Sequence, residues 1–599
     1  MQTLPDNGER YHIIRKTLYA NMIAFIISSL TTSIGSLIDG VVIGQCLGVD
    51  SMAAFGLVSP VIIVFSLFGA IVASGARNRF TMLIGTGDQR GARGIFTLSV
   101  LMGVGLSTLL MVVVFGFATP ICRLLGATGD AADLMDKARG YLLGIAIGLP
   151  AMNAARVLNA YMSIDNDRRL TVTSSVVLTI ADIALDILVA FVIHGDTFEM
   201  GLATSISHYA ALLVLLTHFR RRDRLLRFSI NDLRRSEILP VLTRGLPVGV
   251  ARVSNTLRCI VLNQMMAGMI GAAGCIAAYS VHRQADSLLN GFVFGLSDTV
   301  LMLTGILVGE QNRPTLRRLL KTSFQAVWTV VLGISALLWL FAPLFASFFI
   351  KDAPRETLIY AIEATRCYAL GMPLYAWNQV YSSYTEGRGR THISLALKFC
   401  SEGGMIVAAA AALLPALGPR AIWVAFPVSQ VLQMATIAAI ITLQNKRLGL
   451  RPANFWKWYM ALPPDFDVPK ADRIDCTITS HDQVIELYHI ARDFCAAHGC
   501  DERRRYIISL AVEELATNTV QNGFRPGKNN TIDMRILKRG DEYVVRIRDD
   551  CEIFDPVKQL QLYDKNVPLH HMGIRMAIES AREVQYTSML KLNNLVLTV

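Results

Sequence analysis

The sequence predicts an all-α bundle that spans a membrane many times, followed by a smaller soluble domain containing helices and strands. Hydrophobic residues make up 53% of the 599 residues and charged residues only 17%, whereas a soluble chain carries nearer ~25% charge. The apolar residues lie mainly before residue 444, in long runs separated by short polar loops. Residues 476–599 instead carry 16 basic and 17 acidic side chains, a balance typical of a soluble domain.

Long apolar runs recur between residues 19 and 443. Each of the clearest runs approaches or exceeds the ~20 residues that cross a ~30 Å hydrocarbon core as a helix. These runs cover residues 58–74, 96–118, 142–162, 172–193, 324–349 and 393–414. Counting all such runs predicts about twelve transmembrane helices.

Basic residues are concentrated in alternate loops, for example at residues 90–93, 220–235 and 313–321, whereas the loops at residues 45–53 and 194–200 contain none. Cytoplasmic loops of membrane proteins carry such an excess. We therefore expect a bacterial inner-membrane (plasma-membrane) protein with both termini in the cytoplasm. These loops also account for the basic excess of the chain, so nucleic acid is not an expected partner.

Residues 40–99 and 263–323 resemble each other, and their alignment matches Gly85 with Gly309. A duplicated bundle predicts two six-helix lobes with a cavity between them, which suits alternating access. The predicted division is a cytoplasmic amino terminus (1–16), a first lobe (17–218), a basic cytoplasmic linker (219–240), a second lobe (241–443), a juxtamembrane linker (444–472) and a cytoplasmic domain (473–599).

The stretch from Asp39 to Gly48, DGVVIGQCLG, with Pro60, resembles the first-helix region of multidrug and toxic compound extrusion (MATE) transporters. Later matches follow in the same order at residues 185–186, 201–204 and 245–249, so the resemblance covers roughly residues 10–445. It implies H⁺- or Na⁺-coupled export of small amphipathic organic compounds, often cations, by a protein surrounded by membrane lipid.

Carboxylates inside the apolar runs are candidates for the coupling site, because ionisable groups at membrane depth usually face a cavity or a partner. Asp182 and Asp186 lie four residues apart, on one side of a helix. Two such carboxylates do not both stay ionised without a cation. By resemblance, Asp39 and Thr204 join them at the amino-terminal-lobe cation site of one MATE branch, which often has Asn in place of Asp182. The predicted site comprises Asp39, Asp182, Asp186, Thr204, Asn153 and Asn159.

Simpler interpretations of these carboxylates stay open. Asp39 can lie at a helix end in the headgroup region, and an arginine such as Arg156 can neutralise the Asp182/Asp186 pair. Other MATE branches use a glutamate in the seventh helix, but residues 245–271 contain no acidic residue. That difference favours the first lobe as the coupling site.

Charged residues of the second lobe are candidates for the substrate cavity, namely Arg252, Arg258, Arg283 and Asp286. The arginines at positions 252 and 258 suit an anionic or zwitterionic substrate. Arg283 and Asp286 are three residues apart and can instead neutralise each other.

From residue 473 the pattern becomes that of a soluble domain, after a linker whose Trp456, Trp458 and Tyr459 are typical of a membrane-interface belt. The pattern predicts strands at 473–478, 531–538, 543–549, 584–588 and 591–597, with helices at 482–497, 502–522 and 571–581. Helices combined with a mostly antiparallel sheet predict a two-layer α+β sandwich.

In this domain Glu514, Asn518 and Asn522 share one helical face, Asp549 ends a strand, and Gly573 opens a helix. The pattern resembles the anti-sigma-factor/histidine-kinase type of ATP-binding domain. The resemblance implies that Asn518 coordinates Mg²⁺, that Glu514 polarises a water or serves as general base, and that Asp549 accepts from the adenine amino group. For Glu514, a place on a solvated helix face is the simpler alternative.

Two departures bear on whether this domain binds ATP. Cys551 stands where the strand-end motif normally has glycine, and the phosphate lid reads Gly573-Ile574-Arg575, with one glycine. Glycine permits close backbone approach to phosphates, so its loss argues against a working lid, although Arg575 can contact a phosphate directly.

The sequence therefore predicts a cation-coupled exporter with an ATP-binding-like regulatory domain, which is a secondary transporter rather than an enzyme. Two alternatives stay open. One is a membrane sensor whose tail acts as an anti-sigma-type serine kinase or binds a cytoplasmic regulatory protein. The other is a flippase for a lipid-linked substrate.

Overall fold

The computed structural model describes residues 12–46, 48–124, 132–221, 224–267, 272–349, 354–450, 454–562 and 572–599. It divides into two compact units, one formed mainly by residues 18–461 and the other mainly by residues 462–599. The first unit is helical throughout its described part.

Its helices are α1 (His12–Cys46), α2 (Gly48–Thr86), α3 (Gln89–Leu124), α4 (Ala132–Ala146), α5 (Leu149–Met162), α6 (Arg168–Leu188), α7 (Thr197–Leu216), α8 (Ile238–Ala267), α9 (Ala272–Gly309), α10 (Arg313–Ala326), α11 (Leu332–Leu340), α12 (Ala342–Phe349), α13 (Arg355–Gly387), α14 (Thr391–Phe399), α15 (Met405–Leu417), α16 (Ala421–Arg447) and α17 (Phe455–Met460).

Several of these helices combine into longer rods. Single π-helical turns join α10 to α11 and α14 to α15, and α4 meets α5 at a bend of 44°. By length and composition alone, seven described helices can cross a membrane, or eight if the bent pair is one span. These apolar rods confirm the predicted all-α membrane bundle.

The helices that the sequence repeat pairs, α2 and α9, cross at the matched glycines. A Cβ atom on Gly85 would lie 2.9 Å from the Cα of Gly309, and a Cβ on Gly309 would lie 2.8 Å from the Cα of Gly85. Small residues let membrane helices approach until their backbones touch. The matched glycines therefore mark a close contact between the two halves.

A second close approach joins α2 to α8. A Cβ on Gly75 would lie 1.8 Å from the carbonyl oxygen of Val241, and a Cβ on Gly245 would lie 1.9 Å from the carbonyl oxygen of Ile71. One helix of the first half thus packs backbone to backbone against two helices of the second half.

The short helix α17 is held by hydrogen bonds from residues at the carboxyl-terminal ends of α13 and α16. Arg388 donates to the carbonyl oxygens of Met460 and Ala461 at 2.8 and 2.7 Å, and Asn445 donates to Trp458 at 2.7 Å. Tyr459 is buried. The predicted interface belt is therefore wrong for Tyr459, because an aromatic cluster of the bundle encloses its ring.

The second unit is built on a five-stranded antiparallel sheet in the order β1-β2-β3-β5-β4. Its strands are β1 (Arg473–Ile478), β2 (Ile532–Arg539), β3 (Glu542–Asp549), β4 (Glu583–Met589) and β5 (Leu592–Thr598), and its helices are α18 (His481–Ala497), α19 (Glu502–Asn518), α20 (Pro556–Leu562) and α21 (Met572–Ser580).

The helices of this unit cover one face of the sheet. Leu487 and Val512 of α18 and α19 pack in one apolar core with Ile536 and Val545 of the central strands. Alternate strand residues point to this core because side chains alternate across a strand. The predicted two-layer sandwich is confirmed, and the structure adds α20, for which the sequence pattern gave no prediction.

We predict that Gly309→Ala lowers the melting temperature of the detergent-purified protein, because the new methyl group meets the α2 backbone and such overpacking costs about 1–3 kcal/mol. Gly116→Ala in α3 is the matched control, since a Cβ there meets nothing within 4 Å. The control should melt at the parent temperature or above it, because alanine favours a helix by roughly 0.5–1 kcal/mol over glycine. Equal melting of the two variants would contradict the close contact.

Candidate ion site, substrate cavity and nucleotide pocket

Asp182 and Asp186 are both buried on α6, with 8% and 2% of their surfaces exposed. Thr204 and Ser207 of the neighbouring α7 lie beside the Asp182 carboxylate. Oδ1 of Asp182 has no hydrogen-bond partner in the described residues. A buried oxygen without a donor is costly, whereas a bound proton or Na⁺ would satisfy it, so these groups fit a cation.

The remaining predicted members of this site are placed differently. Asn153 is buried on α5 and packs against α2, where a Cβ on Gly69 would lie 1.8 Å from its Oδ1. Oδ1 of Asn153 and that of Asn159 are both buried without a partner in the described residues. Asp39 belongs to α1, and its side chain lies outside the described part. The structure therefore brings together Asp182, Asp186 and Thr204.

Arg156, the alternative partner for the carboxylates, is engaged with another helix. Its guanidinium donates to the backbone carbonyl of Ser66 in α2. It also lies within electrostatic reach of His208 and Arg252. The described contacts thus tie Arg156 to α2, which favours a cation as the partner of the α6 carboxylates.

In the second half, Asp286 pairs with Arg258 rather than with Arg283. The Arg258 Nη2 lies 3.6 Å from the Asp286 Oδ2, and Asn290 donates to Asp286 at 2.7 Å. The expected neutralisation of Asp286 by Arg283 within α9 is wrong. The guanidinium of Arg258 on α8 is buried beside Asp286, whereas Arg283 is exposed. Arg252 is exposed as well, so the four predicted cavity residues do not form one cluster.

Sequence reasoning missed a second buried polar group in this half. Tyr375 of α13 donates to Glu402 at 2.7 Å, and Gln379 bridges Glu402 and Lys398. Lys398 and Glu402 flank the start of the π-helical turn between α14 and α15. A lysine and a glutamate four residues apart inside the apolar run 393–414 are the signal that would have found them.

A forked ion pair joins the two halves near the glycine contacts. Arg77 of α2 donates to both carboxylate oxygens of Asp298 in α9, at 3.0 and 3.3 Å. Asn78 donates to the carbonyl oxygen of Glu386 in α13 at 2.9 Å and accepts from Arg244 of α8 at 2.7 Å. One segment of α2 therefore makes polar contacts with three helices of the second half.

The second unit contains a cavity of about 400 Å³ between α19, α20, α21 and the ends of β3 and β5. Its wall is mainly apolar, with a few polar side chains. The described lining includes Asn518, Asn522, Asp549, Cys551, Ile574 and Asn593. A cavity of this size and composition is typical of a small-molecule site.

Asp549 is held at the wall of this cavity by two donors. Its Oδ1 accepts from the backbone N–H of Cys551 at 3.0 Å and from the Asn593 side chain at 2.8 Å. Burial raises the pKa of the Asp549 carboxyl above its ordinary value of 3.8. Asn593 pairs directly with Asp549 across β3 and β5, and it also accepts from Tyr586 at 2.7 Å. Sequence reasoning missed Asn593, although two asparagines in an apolar strand are a usable signal.

Of the helix face predicted from the sequence, Asn518 and Asn522 line the cavity. Asn522 donates to the Oδ1 of Asn518 at 2.8 Å. Gly573 contacts Glu514, because a Cβ on Gly573 would lie 2.0 Å from the Glu514 Cδ. Arg575 donates to Glu579 of its own helix at 2.9 Å. The segment between α20 and α21 lies outside the described residues.

Cys551, which stands where the strand-end motif normally has glycine, lies against Gly523. A Cβ on Gly523 would lie 3.0 Å from the Cys551 Sγ, so glycine at 523 leaves room for the thiol. The residues present therefore fit an adenine nucleotide, with Asp549 as the acceptor for the base. Nucleotide-bound Mg²⁺ needs only one or two protein oxygens besides phosphate, and the Asn518 amide oxygen would be one of them.

The MatE family model matches this chain twice, at residues 24–188 and 247–409. The two matches together cover more than half of the chain, and they fall in the two halves that the repeat predicts. The chain belongs to the MatE family. Residues 479–599 match a second model, that of the histidine kinase-like ATPase domain.

Relatives of this MatE protein include three bacterial proteins named for multidrug resistance or export. A probable multidrug resistance protein NorM of Listeria monocytogenes is 24% identical over 46% of this chain and 61% of its own. The probable multidrug resistance protein YoeA of Bacillus subtilis is 21% identical over 57% of this chain and 74% of its own. The multidrug export protein MepA of Staphylococcus saprophyticus is 20% identical over 49% of this chain and 65% of its own. The matches thus span about two thirds of each relative.

Solved structures share the fold of the bundle. An outward-facing MATE family transporter is 21% identical, covers 73% of this chain and 97% of its own, and superposes with a TM-score of 0.66. A transporter from Pyrococcus furiosus is 20% identical, with coverages of 72% and 97% and a TM-score of 0.64.

We predict that Asp286→Ala destabilises the purified protein more than the double variant Arg258→Leu/Asp286→Leu. The single change leaves the Arg258 charge buried and unpaired, which costs about 3–5 kcal/mol, whereas apolar replacement of a buried pair is often neutral. Melting temperatures in detergent measure the difference, and Arg283→Leu, at an exposed arginine, is the control. A double variant that melts below the single variant would contradict the pairing.

Proposed function

We propose that the bundle is a secondary antiporter that exports small organic compounds in exchange for H⁺ or Na⁺. The observation that carries the proposal is the buried Asp182/Asp186 pair, with a carboxylate oxygen that lacks a donor in the described residues. The names of the relatives, which include multidrug export and resistance proteins, support small organic compounds as substrates.

In this proposal the cation acts by changing the charge of the first half. Without a cation, two carboxylates in a low-dielectric site repel each other and require compensation. Binding H⁺ or Na⁺ removes that cost, so occupancy shifts the population between two arrangements of the halves. Repeat-related halves of this kind expose a central site alternately to the two sides of the membrane.

Movement of the halves requires the contacts along α2 to change. The Arg77–Asp298 ion pair and the polar contacts of Asn78 hold the two halves together in the described conformation. By the loop-charge pattern these contacts lie toward the cytoplasm, so their separation opens the cytoplasmic entrance. The side chains of Arg252 and Arg283 are exposed on the second half. Their positive charge favours substrates that carry an acidic group.

We predict that Asp182→Ala and Asp186→Ala each lower ion-dependent export by at least about tenfold, because a methyl group neither takes up a proton nor ligates Na⁺. The measurement is efflux of a fluorescent dye from energised cells that express equal amounts of each variant. Asp136→Ala, at an exposed position of α4, is the matched control and should export normally. Export that persists in both α6 variants and still depends on an ion gradient would refute the site.

The tail, in turn, is proposed to bind ATP and to act as a regulatory domain. Support comes from the cavity of about 400 Å³ and from the buried Asp549 carboxylate beside Asn593. Asp549 would accept from the adenine amino group, and Asn518 would hold the Mg²⁺ that accompanies the phosphates. The ion neutralises phosphate charge when bound.

We predict that the ATP affinity of the full-length protein falls on acidification at a higher pH than it would if the acceptor were an aspartate with an ordinary pKa. An ionised carboxylate accepts more strongly from the adenine amino group than a protonated carboxyl does, so the full interaction is present above the pKa of Asp549 and weakens as pH falls through it. Since burial raises this pKa above 3.8, the loss begins at a higher pH than for an exposed carboxyl.

The measurement is displacement of a fluorescent ATP analogue from about pH 8 down to about pH 4, with Asp549→Asn as the control. The control should bind weakly, and its remaining affinity should show only the pH dependence of the nucleotide itself. Parallel pH profiles for parent and control would remove Asp549 from the nucleotide site. Asn518→Ala should abolish the effect of added Mg²⁺ on binding.

A further inference from the structure

The segment that connects α7 to α8 contains a basic pocket unrelated to the sites above. It begins with a 3₁₀ turn at Thr217–Arg220 and reaches α8 through a second turn at Arg235–Glu237. A cavity of about 480 Å³ opens there, lined by Phe219, Arg220, Arg221, Arg224, Arg227 and Phe228. Four of the six described lining residues are arginines.

The pocket is a built feature of the first half. Phe96 of α3 packs against Phe228 and Phe219 with ring centroids 5.0 and 6.1 Å apart, which makes an aromatic floor. The backbone N–H of Ser229 donates to Thr97 at 2.9 Å. These contacts fix the backbone on which the arginines are mounted.

The arginines carry more positive charge than their described neighbours balance. Arg221 lies 3.3 Å from Asp167, which also pairs with His218 at 2.9 Å. Within the described ranges, Arg220, Arg224 and Arg227 have no carboxylate partner. The described lining thus holds four guanidinium groups, of which one has a described carboxylate partner.

Arg224 adds an unmet donor inside the pocket. Its guanidinium lies 5.6 Å above the Phe219 ring and donates to the carbonyl oxygens of Phe219 and Arg221, while its Nε is buried without an acceptor in the described residues. Planar guanidinium groups bind phosphate oxygens through paired hydrogen bonds. An anion with several oxygens, such as a phosphodiester, fits this arrangement.

The apolar surroundings identify the source of that phosphate. Leu213 and Leu216 of α7 are 65% and 43% exposed, and Phe228 and Ile230 of the connecting segment are 55% and 80% exposed. In a membrane bundle such a surface contacts acyl chains. Basic groups directly beside it stand at the level of the lipid headgroups.

We propose that this pocket binds the phosphate headgroup of an anionic phospholipid, with its acyl chains along the exposed apolar residues of α7. Inorganic phosphate shares the headgroup chemistry but leaves the apolar rim uncovered. The segment is also tied to the first half by Arg79–Glu237 at 2.7 Å. A lipid bound here would therefore brace the junction between the two halves.

The test measures thermal protection of the full-length, delipidated protein in detergent by a short-chain phosphatidylglycerol. Phosphatidylcholine of the same chain length and inorganic phosphate are the other two probes. Phosphatidylglycerol should raise the melting temperature with saturation, whereas the other two should not. The variant Arg220→Gln/Arg224→Gln/Arg227→Gln should need about 100-fold more phosphatidylglycerol, at roughly fivefold for each lost basic residue.

The control variant Arg90→Gln/Arg93→Gln/Arg317→Gln loses the same charge from other basic loops and should keep the parent response. If the triple pocket variant does not fold, Arg220→Gln/Arg227→Gln, which changes two exposed side chains, should still need about 25-fold more lipid. Equal protection by inorganic phosphate would make this a site for a free anion, and equal loss in the control variant would reduce it to general surface charge. Either result, or full protection of the pocket variants, overturns the proposal.

Discussion

The close backbone approach of α2 to α8 and α9 is the constraint on which the rest of the bundle depends. Gly75 and Gly85 remove the side chains that would keep these helices apart, and Gly245 and Gly309 do the same from the second half. At this separation Arg77 reaches both carboxylate oxygens of Asp298 with its guanidinium. The same helix therefore sets the packing and carries the polar contacts that any relative motion of the halves must rearrange.

The low dielectric of a membrane interior turns charge pairing into a guide to function. The bundle contains two ion pairs, Arg258 with Asp286 and Arg77 with Asp298. These four charges neutralise each other and therefore have a structural role. Asp182 instead has no ion-pair partner in the described residues; its neighbours are the hydroxyl groups of Ser207 and Thr204, and its Oδ1 has no donor there. That contrast, rather than the number of acidic residues, distinguishes the proposed ion site from the structural pairs.

The sequence predicted those features that depend on composition and local spacing. These include the apolar bundle, the shared face of Asp182 and Asp186, the matched glycines of the repeat and the layers of the tail. It did not predict features set by contacts between distant elements. The partner of Asp286 depends on how α8 is rotated against α9, and the meeting of Asn593 with Asp549 depends on strand register. Tyr459 lies in a stretch whose composition is typical of a membrane interface, but tertiary packing buries its side chain. The domain boundaries and the roles of the site residues stay predictions.

The most direct test of the account is transport by the purified protein in proteoliposomes under imposed ion gradients. A gradient of H⁺ or Na⁺, applied without any other energy source, should drive an organic dye against its concentration difference. Collapsing that gradient with an ionophore should stop the movement at once. Dye movement that ignores both gradients, or that requires ATP instead, would contradict an ion-coupled antiporter.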